Sequence, residues 1–253
     1  MSDLAYKNAL TEYLEGFVSE RRRGRLHEVL KERTNHMQLV LEDVYQTHNF
    51  SAVLRSADIF GIQTTNFIEN RNKYKISEDV SMGSTQWLTL NRFQNHENNT
   101  KACLTNLKSQ GYKVVATSLH KNSVSLEELD VSKPFALVFG TELTGITKDV
   151  EDMADEFVKL PMYGFTESFN ISVCAALCMY HLSSRIRKEV PNYGLSEDEK
   201  RDIYIDWLKA SVRKHDLIIK EFDAKYYQKA LCFTLDILEK NCIFERWNFL
   251  QLK

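Results

Sequence analysis

The chain predicts an α/β fold, a mainly parallel sheet with helices on both faces. Two observations carry this: strand-like and helix-like segments alternate through residues 36–188, and polar loops follow several of the short, β-branched or aromatic strand-like runs. With 253 residues, 43% of them hydrophobic, the chain can build one sizeable α/β domain with helical additions, or two small domains.

Residues 3–33 read as an amphipathic helical lead-in. "HMQLVLEDV" (36–44) then reads as a strand, "NFSAVLRSADIFG" (49–61) as a helix stopped by Gly61, and "TTNFIEN" (64–70) as a second strand. After a loop come "QWLTLNRF" (86–93) as a strand and 97–110 as a polar helix closed by Gly111. "YKVVATSL" (112–119), "FALVFG" (135–140) and "EFVKLP" (156–161) are the remaining strands. From Asn170 a helix carries Ile171, Cys174, Ala175, Cys178 and Leu182 at helical spacing. Val173, Leu177, Met179 and Tyr180 are apolar too, so this helix is expected to be buried nearly all round. The tail, 196–240, is charged and helical, with Ile203, Trp207 and Leu208, then Leu231, Leu235 and Leu238, as packing positions. The expected division is a helical extension over 1–35, the α/β domain over 36–188 and a second helical extension over 189–253.

A formal net charge of −2 gives no global basic field, so a nucleic-acid partner would need local patches. Arg21, Arg22, Arg23 and Arg25 form one candidate, and Arg185, Arg187 and Lys188 another; each otherwise serves as a solvated face. The five cysteines show no zinc-type spacing, no metal is expected, and Cys174 and Cys178 read as small core residues. No run suits a signal, an anchor or a membrane span, which points to a soluble, intracellular, reduced protein. Neither a GxGxxG nor a Walker loop occurs, which argues against a standard dinucleotide or phosphate-loop enzyme.

Ligand sites in parallel sheets lie beyond the carboxyl ends of the strands. Three polar loops fall at such ends, 117–121, 140–145 and 162–170, and predict one site assembled from distant segments. Within them, Ser168 and Asn170 suit either a helix cap or a polar loop delivered onto a helix N-terminus to bind a small molecule. Glu142 stands between a strand end and a helix start, where a capping carboxylate is the plainer account. Gly140 and Gly145 on either side allow close backbone approach. Asn49 occupies an expected N-cap. Arg55 lies off the apolar stripe of its helix, within reach of Asp58 at i+3.

In this order and spacing, "HNFSAVLRSADIFG", "VFGTELTGIT" and "LPMYGFTESFNISVCAALCMYHL" resemble the signature motifs of the TrmH family of SPOUT methyltransferases. The resemblance covers about residues 36–188 and implies a catalytic domain with a C-terminal trefoil knot. It also implies transfer of a methyl group from S-adenosylmethionine to a ribose 2′-hydroxyl of RNA. On the matching positions, Thr117, Gly140, Leu160 and Phe169 are expected to line the cofactor pocket, and Asn49, Arg55, Glu142, Ser168 and Asn170 to be catalytic. Glu142 is followed by Leu143 where the family often has lysine or glycine, and Phe169 replaces a more usual leucine. Helical extensions at both ends, with no separate domain before the first motif, are similar to the members that methylate the D-loop guanosine at tRNA position 18. The resemblance further implies a cytoplasmic homodimer joined through the knot region, with Cys178, Met179 and Leu182 facing the partner, and gives the two basic clusters a purpose as tRNA contacts. Methylation of ribosomal RNA by the same chemistry, a non-catalytic RNA-binding relative, and an unrelated doubly wound nucleotide-binding enzyme are the alternatives.

Overall fold

The computed structural model describes residues 3–44, 46–72, 83–118, 122–141, 144–166 and 168–228. The chain forms two compact units, residues 27–200 and a helical unit of residues 1–26 with the chain from 201 onward.

In the larger unit, β1 (Met37–Glu42), β2 (Thr64–Ile68), β3 (Thr89–Phe93), β4 (Lys113–Thr117), β5 (Val124–Ser125), β6 (Phe135–Phe139) and β7 (Glu156–Lys159) form one seven-stranded sheet. Its order is β3-β2-β1-β6-β4-β7-β5, and every pairing is parallel. Helices α3 (Thr47–Ile59), α4 (Asn99–Ser109), α5 (Lys148–Met153) and α6 (Ile171–Glu189) cover it.

The sheet is apolar on both faces because alternate residues of its central strands point to opposite sides. Leu39, Leu41, Val115, Leu137 and Phe139 pack on one side against Phe50, Val53, Leu54 and Ala57 of α3 and Ala175, Cys178, Met179 and Leu182 of α6. Val40, Val114, Ala116, Ala136 and Val138 pack on the other against Cys103, Leu104 and Leu107 of α4 and Val150 of α5. The α/β class and the helices on both faces are as the sequence predicts. The helix start expected after Glu142 is the six-residue α5, whereas the two-residue β5 is too short to leave a periodic signal.

α6 departs from expectation. Ile171, Ala175, Cys178, Met179, Leu182 and Ile186 are buried, but Val173, Leu177 and Tyr180 are 47%, 41% and 66% exposed. These three recur at i, i+4 and i+7 and form a second apolar stripe that the described residues leave largely exposed, with Phe60 alongside Tyr180 at its end. Cys178, Met179 and Leu182 therefore face their own sheet and not a partner subunit. The expected helical lead-in is two helices, α1 (Asp3–Glu15) and α2 (Glu20–Lys31).

The helical unit packs Leu10 and Leu14 of α1 inward, and Ile203, Trp207 and Leu208 of α7 (Glu197–Ser211) are buried, as their spacing predicts. Tyr6 donates to Asp223 at 2.6 Å and lies edge-on to Tyr226; Tyr204 donates to Glu15 at 2.7 Å. Leu231, Leu235 and Leu238 lie outside the described residues.

Candidate cofactor and catalytic site

A cavity of about 550 Å³ opens at the carboxyl ends of the adjacent strands β6, β4 and β7. Thr117 closes β4 there and lines the cavity, and its hydroxyl donates to the carbonyl of Val138 at 3.0 Å. Leu160 follows β7, and the chain returns through Ser168 and Phe169 to Ile171 and Cys174 at the start of α6; all of these line the cavity.

Gly140 follows β6, and the turn beyond it folds back tightly. Thr141 donates its N–H to Gly145 at 2.9 Å, Gly145 returns the bond at 3.1 Å, and Gly145 adopts φ +68°. A Cβ on Gly140 would lie 2.2 Å from the carbonyl of Gly145, which no side chain can tolerate. The far end of the turn is anchored through Thr147, which caps α5 and donates both its N–H and hydroxyl to the carboxylate of the fully buried Glu42. Glu42 also accepts from Thr100 at 2.6 Å, so a residue at the end of β1 holds a cavity loop by charge-assisted bonds. Glu42 has one signal in the sequence, a single acid closing the otherwise uncharged run "MQLVLE". Glu142 lies outside the described residues.

Asn170 caps α6: its Oδ1 accepts from the N–H of Ser172 at 2.9 Å and from its hydroxyl at 2.6 Å. Its Nδ2 donates to Oδ1 of Asn49 at 3.1 Å, and Asn49 in turn donates to Gln46 at 3.3 Å. Asn49 is not an N-cap, because α3 starts at Thr47 after the extended Gln46; it is a buried residue of the first turn. The first and third motifs are thus tied by an asparagine pair across α3 and α6. Arg55 is exposed on α3 and does not line the cavity. Asp58, its expected partner, pairs with the buried Arg33.

The basic residues divide. Arg21, Arg22 and Arg25 are exposed on α2, and Arg23 is half-buried, 3.9 Å from Glu15. Arg185 is turned inward. It donates to the carbonyls of Leu126 and Leu129 at 2.7 and 2.8 Å and pairs with Glu189. Arg187 donates to the carbonyls of Glu32 and Phe60 at 2.9 and 3.2 Å and to the Tyr193 hydroxyl at 3.0 Å. Neither is displayed as a phosphate contact, because backbone carbonyls from distant segments occupy their guanidinium groups. Lys188 alone of that cluster is exposed.

A parallel sheet whose cavity is assembled from three strand-end loops and a helix N-terminus, without a glycine-rich phosphate loop, defines a class of α/β small-molecule-binding protein. The chain belongs to the SpoU rRNA Methylase family, which it matches over residues 36–180. A tRNA (guanosine(18)-2'-O)-methyltransferase of Borreliella burgdorferi is 42% identical over 205 residues, 81% of this chain and 92% of that protein. The enzyme of the same name from Aquifex aeolicus is 34% identical over 79% of this chain and 95% of its own length. A solved structure described as the A. aeolicus TrmH/SpoU tRNA modifying enzyme superposes with a TM-score of 0.68 at 32% identity, covering 77% of this chain and 98% of that one.

Proposed function

We infer that this protein is an S-adenosylmethionine-dependent RNA ribose 2′-O-methyltransferase that modifies the guanosine at position 18 of the tRNA D-loop. The observation that carries the reading is the convergence of Thr117, Gly140, Leu160 and Phe169, from three separate segments, on one cavity. Relatives that span most of the chain bear the name of that activity. About 550 Å³ falls within the range of roughly 300–1,000 Å³ usual for small-molecule sites. The wall mixes polar residues such as Thr117, Ser118, Thr141 and Ser168 with apolar ones such as Phe139, Leu160 and Phe169, which suits a ligand with a purine, a ribose and an amino-acid end.

S-adenosylmethionine supplies an electrophilic methyl group on a sulfonium. This chain supplies position and charge. The backbone at Thr117, Gly140 and Leu160 and the face of Phe169 hold the donor. The Asn49–Asn170 pair fixes the two helix starts, and Ser168, at the cavity wall, orients the acceptor ribose together with Glu142. Arg55 binds the adjacent phosphate and stabilises the developing 2′-alkoxide. It is not a general base, because a guanidinium stays protonated in proteins. The extensions over 1–35 and 189–253 hold tRNA, with Arg21, Arg22, Arg23 and Arg25 of the first extension and Lys188 at the end of the catalytic domain as phosphate contacts. The trefoil threading of the third motif and a cytoplasmic location belong to the same reading. So does a homodimer, supported by the exposed Val173, Leu177 and Tyr180 stripe.

Arg55→Lys tests the mechanism. Calorimetric binding of S-adenosylmethionine is expected to be unchanged, while turnover on tRNA falls by about 10²-fold, because lysine lacks the bidentate fork. Near-normal turnover would sink the role given to Arg55, and absence of cofactor binding in the unsubstituted protein would sink the function.

A further inference from the structure

Tyr163 and Phe165 are 95% and 107% exposed, the two most exposed large hydrophobic side chains among the described residues. They stand on either side of Gly164 in the loop between β7 and α6. That loop leaves the cavity wall after Leu160 and Met162 and rejoins it at Ser168 and Phe169. Neither ring lines the cavity itself; both belong to its rim. Single exposed apolar residues are ordinary on protein surfaces, but two aromatic rings on one short loop at the edge of a site make a local apolar patch that packing within the protomer does not use.

The chemistry of the acceptor says what meets that patch. The base of a nucleotide hangs from C1′, which is bonded to the carbon bearing the 2′-hydroxyl, so a ribose presented to this cavity carries its base to the cavity rim. To present that hydroxyl the nucleotide must leave its own stack, and a splayed base is held by stacking on aromatic side chains. We propose that Tyr163 and Phe165 form the platform on which the base of the acceptor nucleotide stacks, holding its ribose 2′-hydroxyl toward the cavity. This deepens the RNA-methyltransferase reading above and rests on it. Every base has a π-face, so the platform supplies affinity and position and does not itself select guanine. Its contribution carries no charge, which separates it from the phosphate contacts, whose strength falls with salt.

The test places 6-thioguanosine at position 18 of an otherwise unmodified tRNA transcript, irradiates its complex with the full-length protein at long wavelength, and maps the cross-linked peptide by mass spectrometry. The expected adduct lies on Tyr163 or Phe165. In steady-state methylation, Tyr163→Ala and Phe165→Ala are each expected to raise KM for tRNA about tenfold while kcat changes little. Tyr163→Trp and Phe165→Tyr are expected to keep the original KM, and the slope of log KM against log salt to match that of the unsubstituted protein in every variant. Calorimetric binding of S-adenosylmethionine and the sedimentation coefficient are expected to stay as they were. A cross-link confined to other segments, or an unchanged KM when both rings are replaced by alanine, would overturn the proposal. So would loss of cofactor binding or a changed oligomeric state in the alanine variants, which would assign the rings to the cavity wall or to a second copy of the chain. Failure of the unsubstituted protein to methylate the transcript would instead refute the underlying reading, and the proposal with it.

Discussion

At the scale of single residues, Gly140 is the position where the backbone leaves least freedom. A Cβ there meets the Gly145 carbonyl carbon and oxygen, both 2.2 Å away, so Gly140→Ala must open the turn that forms one wall of the cavity. The expected cost is about 1–3 kcal/mol of stability, read by urea unfolding, together with weakened cofactor binding. Unchanged binding would show that the turn does not shape the site. The close approach of Gly140 and Gly145 was legible, because a paired glycine at a strand end has few other uses. The fates of Arg185 and Arg187 were not. Residue type announces a charge, but the carbonyls that absorb it come from Leu126, Leu129, Glu32 and Phe60, which only the folded chain brings near. Asn49 was misplaced for a smaller reason: α3 begins two residues earlier, at Thr47, which left Asn49 inside the first turn and free to meet Asn170.

At the scale of elements, the start of α6 does two things through one side chain. Asn170 caps the helix with its oxygen and reaches Asn49 with its nitrogen, and two substitutions separate these tasks. Asn170→Ala removes both, and is expected to cost about 1 kcal/mol, or roughly 2–4 °C in Tm for a chain of this size, along with turnover. Asn170→Asp keeps the accepting oxygen, so the melting point should hold while turnover falls. A melting point that drops equally in both would mean that the pair, and not the cap, stabilises the helix. The strands were legible as short β-branched or aromatic runs, since each central strand must be apolar on both faces. Their order was not. β6 sits between β1 and β4 although it follows both in sequence, an arrangement fixed by packing between distant segments.

At the scale of the whole molecule, Val173, Leu177 and Tyr180 form an exposed apolar stripe along the first half of α6, whose opposite face packs on the sheet. The apolar sequence of this helix suggests burial nearly all round, because composition cannot tell a face covered by its own sheet from one left exposed. If the stripe joins two copies, Leu177→Glu is expected to convert a dimer into a monomer in analytical ultracentrifugation, with the fold intact by circular dichroism. A monomeric unsubstituted protein would refute the interface. The central claim concerns one hydroxyl, and it is tested most directly by transfer of labelled methyl from S-adenosylmethionine to two synthetic tRNAs that differ only at position 18, one with guanosine and one with 2′-deoxyguanosine. The account predicts one methyl per molecule on the first, mapped by nuclease digestion to that ribose, and none on the second. Equal labelling of both, or label only on ribosomal RNA, would contradict it.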